Sequence, residues 1–473
     1  MTILLNEPIE KLKTHVKGRV VLPDDPNYDE VRQIWNARID RKPAAIVQCA
    51  TLGDVAGAIA FARSNKLEIS VRGGGHNIGG TALCDRGVTI DLSMMKNVRI
   101  DADNKRAYVE AGATLGDFDA AAQVHGLATP LGNVSESGVG GLTLGGGFGW
   151  LTRKYGMAID NLVSATMVTA DGDRICTSET ENADLFWAIR GGGGNFGVAT
   201  EFEFKLHPVG PEILAGLIAF PFSQAKQILT QYRQFVESAP QELTVWVLFA
   251  KAPPVPFLPE NVHGKEVVLL LVGYIGDIAE GKKQIELLGR FGDTYGEQIG
   301  VQPYVEWQQA FNTMLSRGAR NYWKSHNLTE LRDEVFDAIV EFASKLPAPQ
   351  SGISIASIGG AFNRVPADAT AYYHRDAKFL LNADGRWDNA ADDEMCINWA
   401  REFFQAAAPY ASAGSYVNFM TEDEGDRVSA VYGANYDRLV QIKQRYDPDN
   451  IFHLNQNIKP TVAPTAIAAS TRS

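Results

Sequence analysis

Three clusters of glycine constrain this chain more than any other feature of its sequence. They lie at Gly73–Gly80, Gly138–Gly149 and Gly191–Gly197, all within the first 200 of 473 residues. Glycine tolerates positive φ and lets backbone N–H groups come close to a phosphate. A single cluster of this kind is often only a tight turn. Three clusters in one region, one of them containing His76, favour a site for a phosphate-bearing cofactor.

Known phosphate-binding, zinc-binding and hydrolase motifs do not account for these clusters. The sequence contains no G-x-x-x-x-G-K-[ST], H-E-x-x-H or G-x-S-x-G motif. One G-x-G-x-x-G occurs at 192–197, between a predicted helix, Leu185–Arg190, and a predicted strand, Val198–Leu206. A dinucleotide fold requires the strand before the glycines and the helix after them. The reversed order excludes a Rossmann site here.

Composition narrows the class of protein. Hydrophobic residues make up 45% and charged residues 21%, as in globular chains of two or three domains. The 44 basic and 56 acidic residues give a net charge of −12, which disfavours nucleic acid as a partner. The four cysteines are scattered with no C-x-x-C pair, so neither a disulfide framework nor a zinc site is predicted, and no metal is expected.

The sequence also predicts a soluble, cytoplasmic protein with no membrane partner. The N-terminus has no basic region before its short apolar stretch, unlike a secretory signal. The most apolar later runs, Leu243–Ala250 and Val267–Ile275, are much shorter than the about 20 residues that span a bilayer.

The periodicity of apolar residues predicts a mixed α+β chain, and the composition of the chain changes near Gly210. Glycine becomes sparse after that point, which suggests a domain boundary, and Ala252–Pro259 is proline-rich and predicts a loop. The predicted helices are Thr51–Asn65, Thr114–His125, Ser223–Ser238 and Thr329–Leu346. The predicted strands are Leu67–Val71, Val88–Leu92, Ala107–Glu110, Thr244–Ala250, Val267–Tyr274, Gly352–Ile358 and Lys378–Leu381, with a hairpin over Met167–Ile175.

Four segments together resemble a known family. They are Val71–Asn77 (VRGGGHN), Thr129–Gly149, Trp187–Gly197 and, much later, Tyr432–Ile458. The chain resembles the FAD-linked oxidases of the vanillyl-alcohol oxidase and p-cresol methylhydroxylase (PCMH) superfamily, and within it the berberine-bridge-enzyme-like branch. The resemblance implies a two-lobe PCMH-type FAD-binding domain from residues 1–209 and 414–473. Residues 210–413 would form a substrate domain, with an antiparallel sheet backed by helices.

The resemblance further implies that His76 is bonded to the 8α-methyl group of FAD. The alternative is a histidine that only hydrogen-bonds the flavin or fills a turn. Ser137 falls where a side chain controls the access of oxygen, and Val134 stands where many relatives carry a second, cysteinyl link, so one link is predicted. The implied FAD-binding residues are His76, Arg72, Gly73, Gly74, Gly75, Asn77, Ile78, Gly79, Gly80, Leu131, Gly132, Ser137, Gly138, Gly140, Gly141, Gly145, Gly146, Gly147, Gly149, Val198, Asn455 and Gln456.

Candidate catalytic residues follow from the same resemblance. Tyr416 and Asn418 match a Y-x-N motif whose tyrosine faces the substrate, which makes Tyr416 the leading base; a packed strand aromatic is the alternative. Tyr373 is a second candidate. A carboxylate base of some relatives aligns with Asn382, an amide that cannot act as a base, and Asp384 is close but cannot be placed from sequence.

The predicted function is the oxidation of an alcohol, sugar or amine C–H by hydride transfer to FAD, with dioxygen as acceptor. The alternative is a non-catalytic FAD-binding protein of the same fold. Aromatic residues in the second half favour an aromatic or bulky substrate, unless they only fill the core: Trp246, Phe249, Tyr304, Trp307, Tyr322, Trp323 and Trp387. The isolated histidines are expected on the surface or in the core: His15, His125, His263 and His326.

Overall fold

The computed structural model describes residues 8–412 and 414–461 and is an α+β structure. Its strands are β1 Arg19–Val21, β2 Ala45–Gln48, β3 Ile69–Arg72, β4 Val88–Asp91, β5 Val98–Asp101, β6 Arg106–Glu110, β7 Leu127–Ala128, β8 Leu162–Val168, β9 Arg174–Ser178, β10 Val198–Lys205, β11 His207–Pro208, β12 Glu212–Pro221, β13 Leu243–Lys251, β14 Glu266–Tyr274, β15 Gly296–Pro303, β16 Arg320–Leu328, β17 Gly352–Ser357 and β18 Phe379–Trp387.

The helices lie between these strands and after the last of them. They are α1 Ile9–His15, α2 Tyr28–Val31, α3 Leu52–Ser64, α4 Leu115–Gln123, α5 Val139–Leu144, α6 Thr152–Tyr155, α7 Ala183–Ile189, α8 Ala225–Ser238, α9 Ile278–Leu288, α10 Tyr304–Gln309, α11 Asp333–Ala343, α12 Ala361–Arg364, α13 Asp393–Ala407, α14 Val428–Tyr432 and α15 Tyr436–Tyr446. None of the helices in the described chain is long and apolar enough to cross a membrane.

Three larger sheets organise the molecule. A four-stranded sheet has the order β1-β2-β4-β3, parallel except for β1, and a five-stranded antiparallel sheet has the order β5-β6-β10-β8-β9. The third, seven-stranded and antiparallel, has the order β15-β12-β14-β13-β17-β18-β16. The first two use only residues 19–205, and the third uses only residues 212–387. The division into two domains at these bounds stays a prediction.

Local signals explain several elements that the sequence predicted. Helix α3 begins at a capping box of Thr51 and Asp54, and α4 begins at one of Thr114 and Asp117. The β8–β9 hairpin turns at Gly172, whose φ of +86° suits glycine. The helix before the third glycine cluster and the strand after it are α7 and β10, which confirms the reversed order.

Three strands of the large sheet, β12, β15 and β16, were not predicted, and a fourth, β18, was predicted only in part. Strand β16 was not predicted, because its sequence RNYWKSHNL is largely polar, and β18 extends to Trp387, well beyond the predicted Leu381. Most polar residues of β16 and β18 are buried. Alternation of apolar and polar residues fails as a signal when both faces of a strand are covered.

The C-terminal segment packs into the core of the first two sheets. Leu439, Ile442, Phe452 and Ile458 share one apolar cluster with residues of α3, α7 and β10. Lys443, fully buried, donates to Asp447 at 2.5 Å and to the carbonyls of Asn195 and Phe452. A buried ammonium with three oxygen partners fixes this segment against the third glycine cluster.

A buried carboxyl group joins α4 to α10, which carries Gln308. Asp119 Oδ2 accepts a hydrogen bond from Gln308 Nε2 at 3.0 Å, and the same nitrogen donates to the Gly132 carbonyl at 3.2 Å. Asp119 Oδ1 and Gln308 Oε1 are buried without a partner in the described residues. Burial raises the pKa of Asp119 to about 7. A proton on Asp119 would give it a donor that an amide oxygen can accept.

We expect Asp119→Asn to flatten the pH dependence of stability. In the native protein Asp119 holds a proton that the unfolded chain, with a pKa of about 3.9, releases. Stability from this group is therefore present at low pH and is lost as pH rises towards 7. The amide of asparagine mimics the protonated acid at every pH. The free energy of unfolding of Asp119→Asn relative to the parent should rise by about 2–3 kcal/mol from pH 5 to pH 7. Urea unfolding at several pH values measures this difference. A difference in unfolding free energy that does not change with pH would refute a protonated Asp119.

Candidate active site

One large cavity lies between the glycine clusters and the seven-stranded sheet. Its volume is about 1340 Å³, above the about 300–1000 Å³ that is usual for a single small ligand. One side is lined by all three glycine clusters and the C-terminal segment, and the opposite side by β13, β14, β17 and β18. The cavity therefore has room for an extended cofactor and a substrate together.

The turn that contains His76 forms one wall of the cavity. Its imidazole stacks on Trp35, with ring centroids 4.6 Å apart, and its Nε2 atom is buried with no hydrogen-bond partner in the described chain. Burial, together with the nearby cations Arg317 and Arg386, lowers the pKa of His76 to about 3. The imidazole is therefore neutral at physiological pH, with a lone pair available for bonding.

The first two glycine clusters touch backbone to backbone beside this histidine. A Cβ atom on Gly138 would lie 2.2 Å from the Gly74 nitrogen, and one on Gly74 would lie 2.3 Å from the Gly138 nitrogen. No side chain can fit at either position without moving the main chain. The close approach explains why the sequence needs glycine at both sites.

We expect Gly138→Ala to destabilise the protein and weaken cofactor retention. The methyl group meets backbone atoms that cannot rotate away, and overpacking of this kind costs about 1–3 kcal/mol or more. Gly57→Ala is the matched control, because nothing lies within 4 Å of its Cβ position in α3. Thermal unfolding and bound flavin per chain should separate the two variants. A Gly138→Ala protein as stable as Gly57→Ala would contradict the packing described here.

The third glycine cluster is joined to the C-terminal segment. Asn195 donates to the Gly192 and Gln456 carbonyls, and Asn455 donates to the Gly194 carbonyl at 3.2 Å. Gly193, Gly194 and Gly197 line the cavity together with Asn455 and Gln456. Two stretches about 260 residues apart thus complete a single wall.

Most of the predicted cofactor residues line the cavity, but some do not. Those that line it are Gly73, Gly74, Gly75, His76, Asn77, Ile78, Gly132, Ser137, Gly138, Gly140, Gly141, Val198, Asn455 and Gln456. Those that the structure leaves outside its lining are Arg72, Gly79, Gly80, Leu131, Gly145, Gly146, Gly147 and Gly149. The prediction of direct cofactor contact is not supported for this second group.

The excluded residues have structural roles. Arg72 is buried in an ion pair with Asp91 and binds the Val31 carbonyl, so its guanidinium serves the sheet. A Cβ on Gly145 would lie 2.1 Å from Asn418 Oδ1, and one on Gly149 would lie 2.4 Å from the Leu131 carbonyl. These glycines permit close packing behind the cavity wall. The sequence pattern could not distinguish glycines that line the cavity from glycines packed behind its wall, because both positions require glycine.

Tyr416 and Asn418 lie together in the cavity wall, as the motif predicted. The Tyr416 oxygen accepts hydrogen bonds from the Gly147 backbone N–H at 3.1 Å and from Asn418 Nδ2 at 2.9 Å. Asn418 also donates to the Leu142 carbonyl, which fixes its orientation. Burial raises the pKa of Tyr416 to about 12, and the two donors only partly oppose the rise. The phenol is therefore neutral near pH 7.

Tyr373 does not reach this site. Its ring lies against Gly433, whose Cβ position is 2.3 Å from the Tyr373 ring, and it packs edge-on against His374. It is not among the cavity-lining residues of the described chain. Tyr373 as a second base stays a prediction that this geometry does not favour, because the chain between β17 and β18 places its ring against Gly433.

Asp384 is the carboxylate that enters the cavity from the large sheet. It lies on β18 directly opposite Trp323 of β16 and Gly352 of β17. It accepts a hydrogen bond from Asn382, and no cation pairs with it among the described residues. Burial raises the pKa of Asp384 to about 7, while hydrogen bonds from Ser354 and Asn382 lower it. The carboxylate base of some relatives aligns with Asn382. In this structure Asn382 is instead the residue that donates a hydrogen bond to Asp384.

The aromatic residues of the second half divide between two roles. Trp246 and Trp323 line the cavity, where Trp246 packs against Phe148 and Trp323 packs against Phe419. The other five fill the core: Phe249, Tyr304, Trp307, Tyr322 and Trp387. Among the isolated histidines, His263 also lines the cavity, against expectation, whereas His326 is buried and stacks on Phe404.

Several lining residues were missed by the sequence analysis. Trp35 and the segment 313–319 come from outside the recognised motifs, and only their fold position brings them to the cavity. Gly193, Gly194 and Gly197 of the third glycine cluster also line the cavity, although they were not among the predicted cofactor-binding residues. Leu142, Leu144, Tyr432, Phe452 and Leu454 are apolar wall residues that no local pattern distinguishes from core.

Comparison with known proteins identifies the family. Residues 43–178 match the family described as FAD binding domain, and residues 415–459 match the one described as berberine and berberine like. The chain is 34% identical to (R)-6-hydroxynicotine oxidase of Paenarthrobacter nicotinovorans over 462 residues, covering 94% of this chain and 97% of that protein. The chain belongs to the berberine-bridge-enzyme-like family of FAD-linked oxidoreductases.

Solved structures of this berberine-bridge-enzyme-like family share the fold. The 6-hydroxy-D-nicotine oxidase of Arthrobacter nicotinovorans is 33% identical with a TM-score of 0.85, covering 97% of this chain and 100% of that chain. The xylooligosaccharide oxidase of Myceliophthora thermophila, in complex with xylobiose, is 26% identical with a TM-score of 0.83, covering 96% and 99%. The family and fold class expected from the sequence are confirmed.

The residues of the cavity fit FAD. Gly74 and Gly138 line the cavity beside His76, whose Nε2 atom has no hydrogen-bond partner in the described chain, and Gly193, Gly194 and Gly197 line it as well. Val134 lines the cavity, and no cysteine does so within the described residues; Cys49, Cys84, Cys176 and Cys396 are all free. The site thus offers a histidine, and no thiol, to the flavin.

Proposed function

We propose that the protein is a covalently flavinylated oxidase that oxidises an alcohol or amine C–H of a small, largely apolar substrate. FAD, attached to His76, supplies the acceptor for a hydride, and dioxygen is the final electron acceptor. The observation that carries the proposal is that His76, Tyr416 and Asp384 all line a single cavity. One residue can hold the cofactor, and two can handle the proton of the substrate.

Asp384 is the better base of the two. A general base works best when its pKa lies near the working pH. The pKa of Asp384, about 7, meets that condition, and the absence of a cationic partner in the described chain leaves its charge available to a substrate O–H or N–H. Removal of that proton makes the neighbouring C–H a better hydride donor. The proposed base therefore differs from the tyrosine favoured by the sequence.

Tyr416 then has an orienting role. Its oxygen already accepts two N–H bonds, and no described residue accepts its O–H. With a pKa of about 12 the phenol keeps its proton near neutral pH and can donate it in a hydrogen bond to a substrate oxygen or nitrogen. Asn418 fixes the phenol from the side and does not itself need to touch the substrate.

The wall opposite the glycines favours a flat, apolar substrate body. The lining from β13, β14, β17 and β18 includes the apolar side chains Trp246, Leu248, Leu269, Leu271, Ala356 and Leu380. These side chains offer no hydrogen bonds to the hydroxyl groups of a sugar chain, and burying such groups against them without partners would cost binding energy. One relative, the (R)-6-hydroxynicotine oxidase of Paenarthrobacter nicotinovorans, is named for an aromatic, amine-bearing molecule, which agrees with this preference.

An anaerobic reduction screen tests the proposal. The flavin of the purified protein should lose its yellow colour when aromatic alcohols or cyclic amines are added without oxygen, and oligosaccharides should act far more weakly. Admission of air should restore the colour and release hydrogen peroxide. A flavin that no compound reduces would favour a non-catalytic FAD-binding protein. Fast reduction without reoxidation by air would contradict dioxygen as the acceptor.

A further inference from the structure

A short segment from the large-sheet half of the chain crosses over the histidine turn. This segment, residues 312–317, follows α10 and precedes β16. Asn312 binds Ser135 twice: its Nδ2 donates to Ser135 Oγ at 2.6 Å, and its Oδ1 accepts from the Ser135 N–H at 3.2 Å. The segment is thereby attached to the second glycine region, next to Val134.

The same segment binds Trp35, the residue on which His76 stacks. The Leu315 carbonyl accepts a hydrogen bond from Trp35 Nε1 at 2.6 Å, and Trp35 is the ring on which His76 stacks. The backbone N–H of Trp35 donates to the Gly75 carbonyl at 3.0 Å. The imidazole is thus fixed on one face by a tryptophan that is itself bonded to both the turn and the segment.

Arg317 makes the most direct contact between the segment and the turn. Its Nη2 donates to the Gly74 carbonyl at 2.8 Å, two residues before His76, and its Nε lies 3.9 Å from Glu136 Oε2. Arg386, the other cation near the imidazole, donates to the Ser316 carbonyl at 2.6 Å. Arg317 alone among these side chains bonds the main chain of the turn that carries His76.

We propose that Arg317 is a positioning residue for the attachment of FAD to His76. By holding the Gly74 carbonyl it fixes the turn so that the imidazole faces the flavin methyl group. Arg317 is half-exposed, lines the cavity and lies outside the strands of the three larger sheets, so we expect its effect to fall on the attachment step. This inference rests on the covalent link proposed above.

The attachment step balances with dioxygen as oxidant. A bond forms between an imidazole nitrogen and the 8α-carbon of FAD. The 8α-methyl group loses one hydrogen and the imidazole loses its N–H hydrogen. Dioxygen takes up the two electrons and two protons and leaves as hydrogen peroxide. The reacting group is a neutral imidazole held at a fixed angle. The positive charge of Arg317 disfavours protonation of the imidazole, and its hydrogen bond to Gly74 fixes the turn that carries it.

The test follows attachment in the full-length chain isolated from riboflavin-limited cells. FAD is added in air, and acid-stable flavin on the protein is measured over time. We expect Arg317→Ala to attach FAD at least about tenfold more slowly, while it still binds FAD reversibly within a few-fold of the parent. Arg317→Lys, which keeps a charged donor, should recover most of the rate. Arg290→Ala, at an exposed arginine that pairs with Glu286, is the control.

Three results would overturn the role of Arg317. These are attachment by Arg317→Ala within twofold of the parent, an Arg317→Lys protein as slow as Arg317→Ala, or loss of reversible FAD binding in both variants. The failure of the proposed function looks different: the parent itself would then release all of its flavin in acid.

Discussion

Asp384→Asn should slow reduction of the flavin by substrate by about 10²–10⁴-fold, the usual contribution of a general base. The substitution is nearly isosteric, and asparagine can keep hydrogen bonds with Ser354 and Asn382, so packing should survive. The rate is to be measured by anaerobic stopped-flow with the best substrate from the reduction screen. Asp376→Asn, at an exposed position, provides the control for loss of a carboxylate.

The pH dependence distinguishes Asp384 from Tyr416. A carboxylate base acts when deprotonated, so reduction by the parent protein should rise with pH and level off near the pKa of Asp384, about 7. A tyrosine base with a pKa of about 12 would instead give a rate that keeps rising above pH 8. Tyr416→Phe should lose less rate than Asp384→Asn and keep the same pH profile. The opposite pattern would return the role of base to Tyr416.

His76→Ala should abolish acid-stable flavin altogether. The imidazole is the group in the cavity wall that the proposal assigns to the covalent bond, and a methyl side chain cannot form it. The variant should fold and bind FAD reversibly, because the glycine contacts of the cavity do not depend on the imidazole. The measurement is flavin absorbance in the pellet and supernatant after acid precipitation.

His125→Ala is the control for this variant, since His125 is exposed in the same half of the chain. It should retain its flavin on the polypeptide in acid. Acid-stable flavin in His76→Ala would show that another residue forms the link.

The fold was readable from the sequence where local chemistry decides the outcome. Capping boxes at Thr51 and Thr114 marked helix starts, and the glycine clusters marked the cofactor wall. Strand β16 was not readable in this way, because its polar residues are buried by tertiary contacts that no local pattern encodes. The reversed order of helix, glycines and strand around Gly192 was also correct from sequence alone.

The candidate site was predicted well on the cofactor side and less well on the substrate side. The motif containing His76 and the pair Tyr416 and Asn418 follow from short sequence patterns. Asp384, the base proposed above, could not be placed from sequence because the strand register sets its position. A shift of two residues from Asn382 keeps the same face of the sheet. Arg317 reaches His76 from a segment about 240 residues away, which no local motif can reveal.

The most direct test of the account is the mass of the acid-denatured wild-type chain, followed by peptide mapping. We predict a chain heavier by one FAD, with all of the flavin on the peptide that contains His76. Val134 in place of a thiol predicts that no cysteine peptide carries flavin. A chain of unmodified mass with free FAD in solution, or flavin bound to a peptide of Cys49, Cys84, Cys176 or Cys396, would contradict the account.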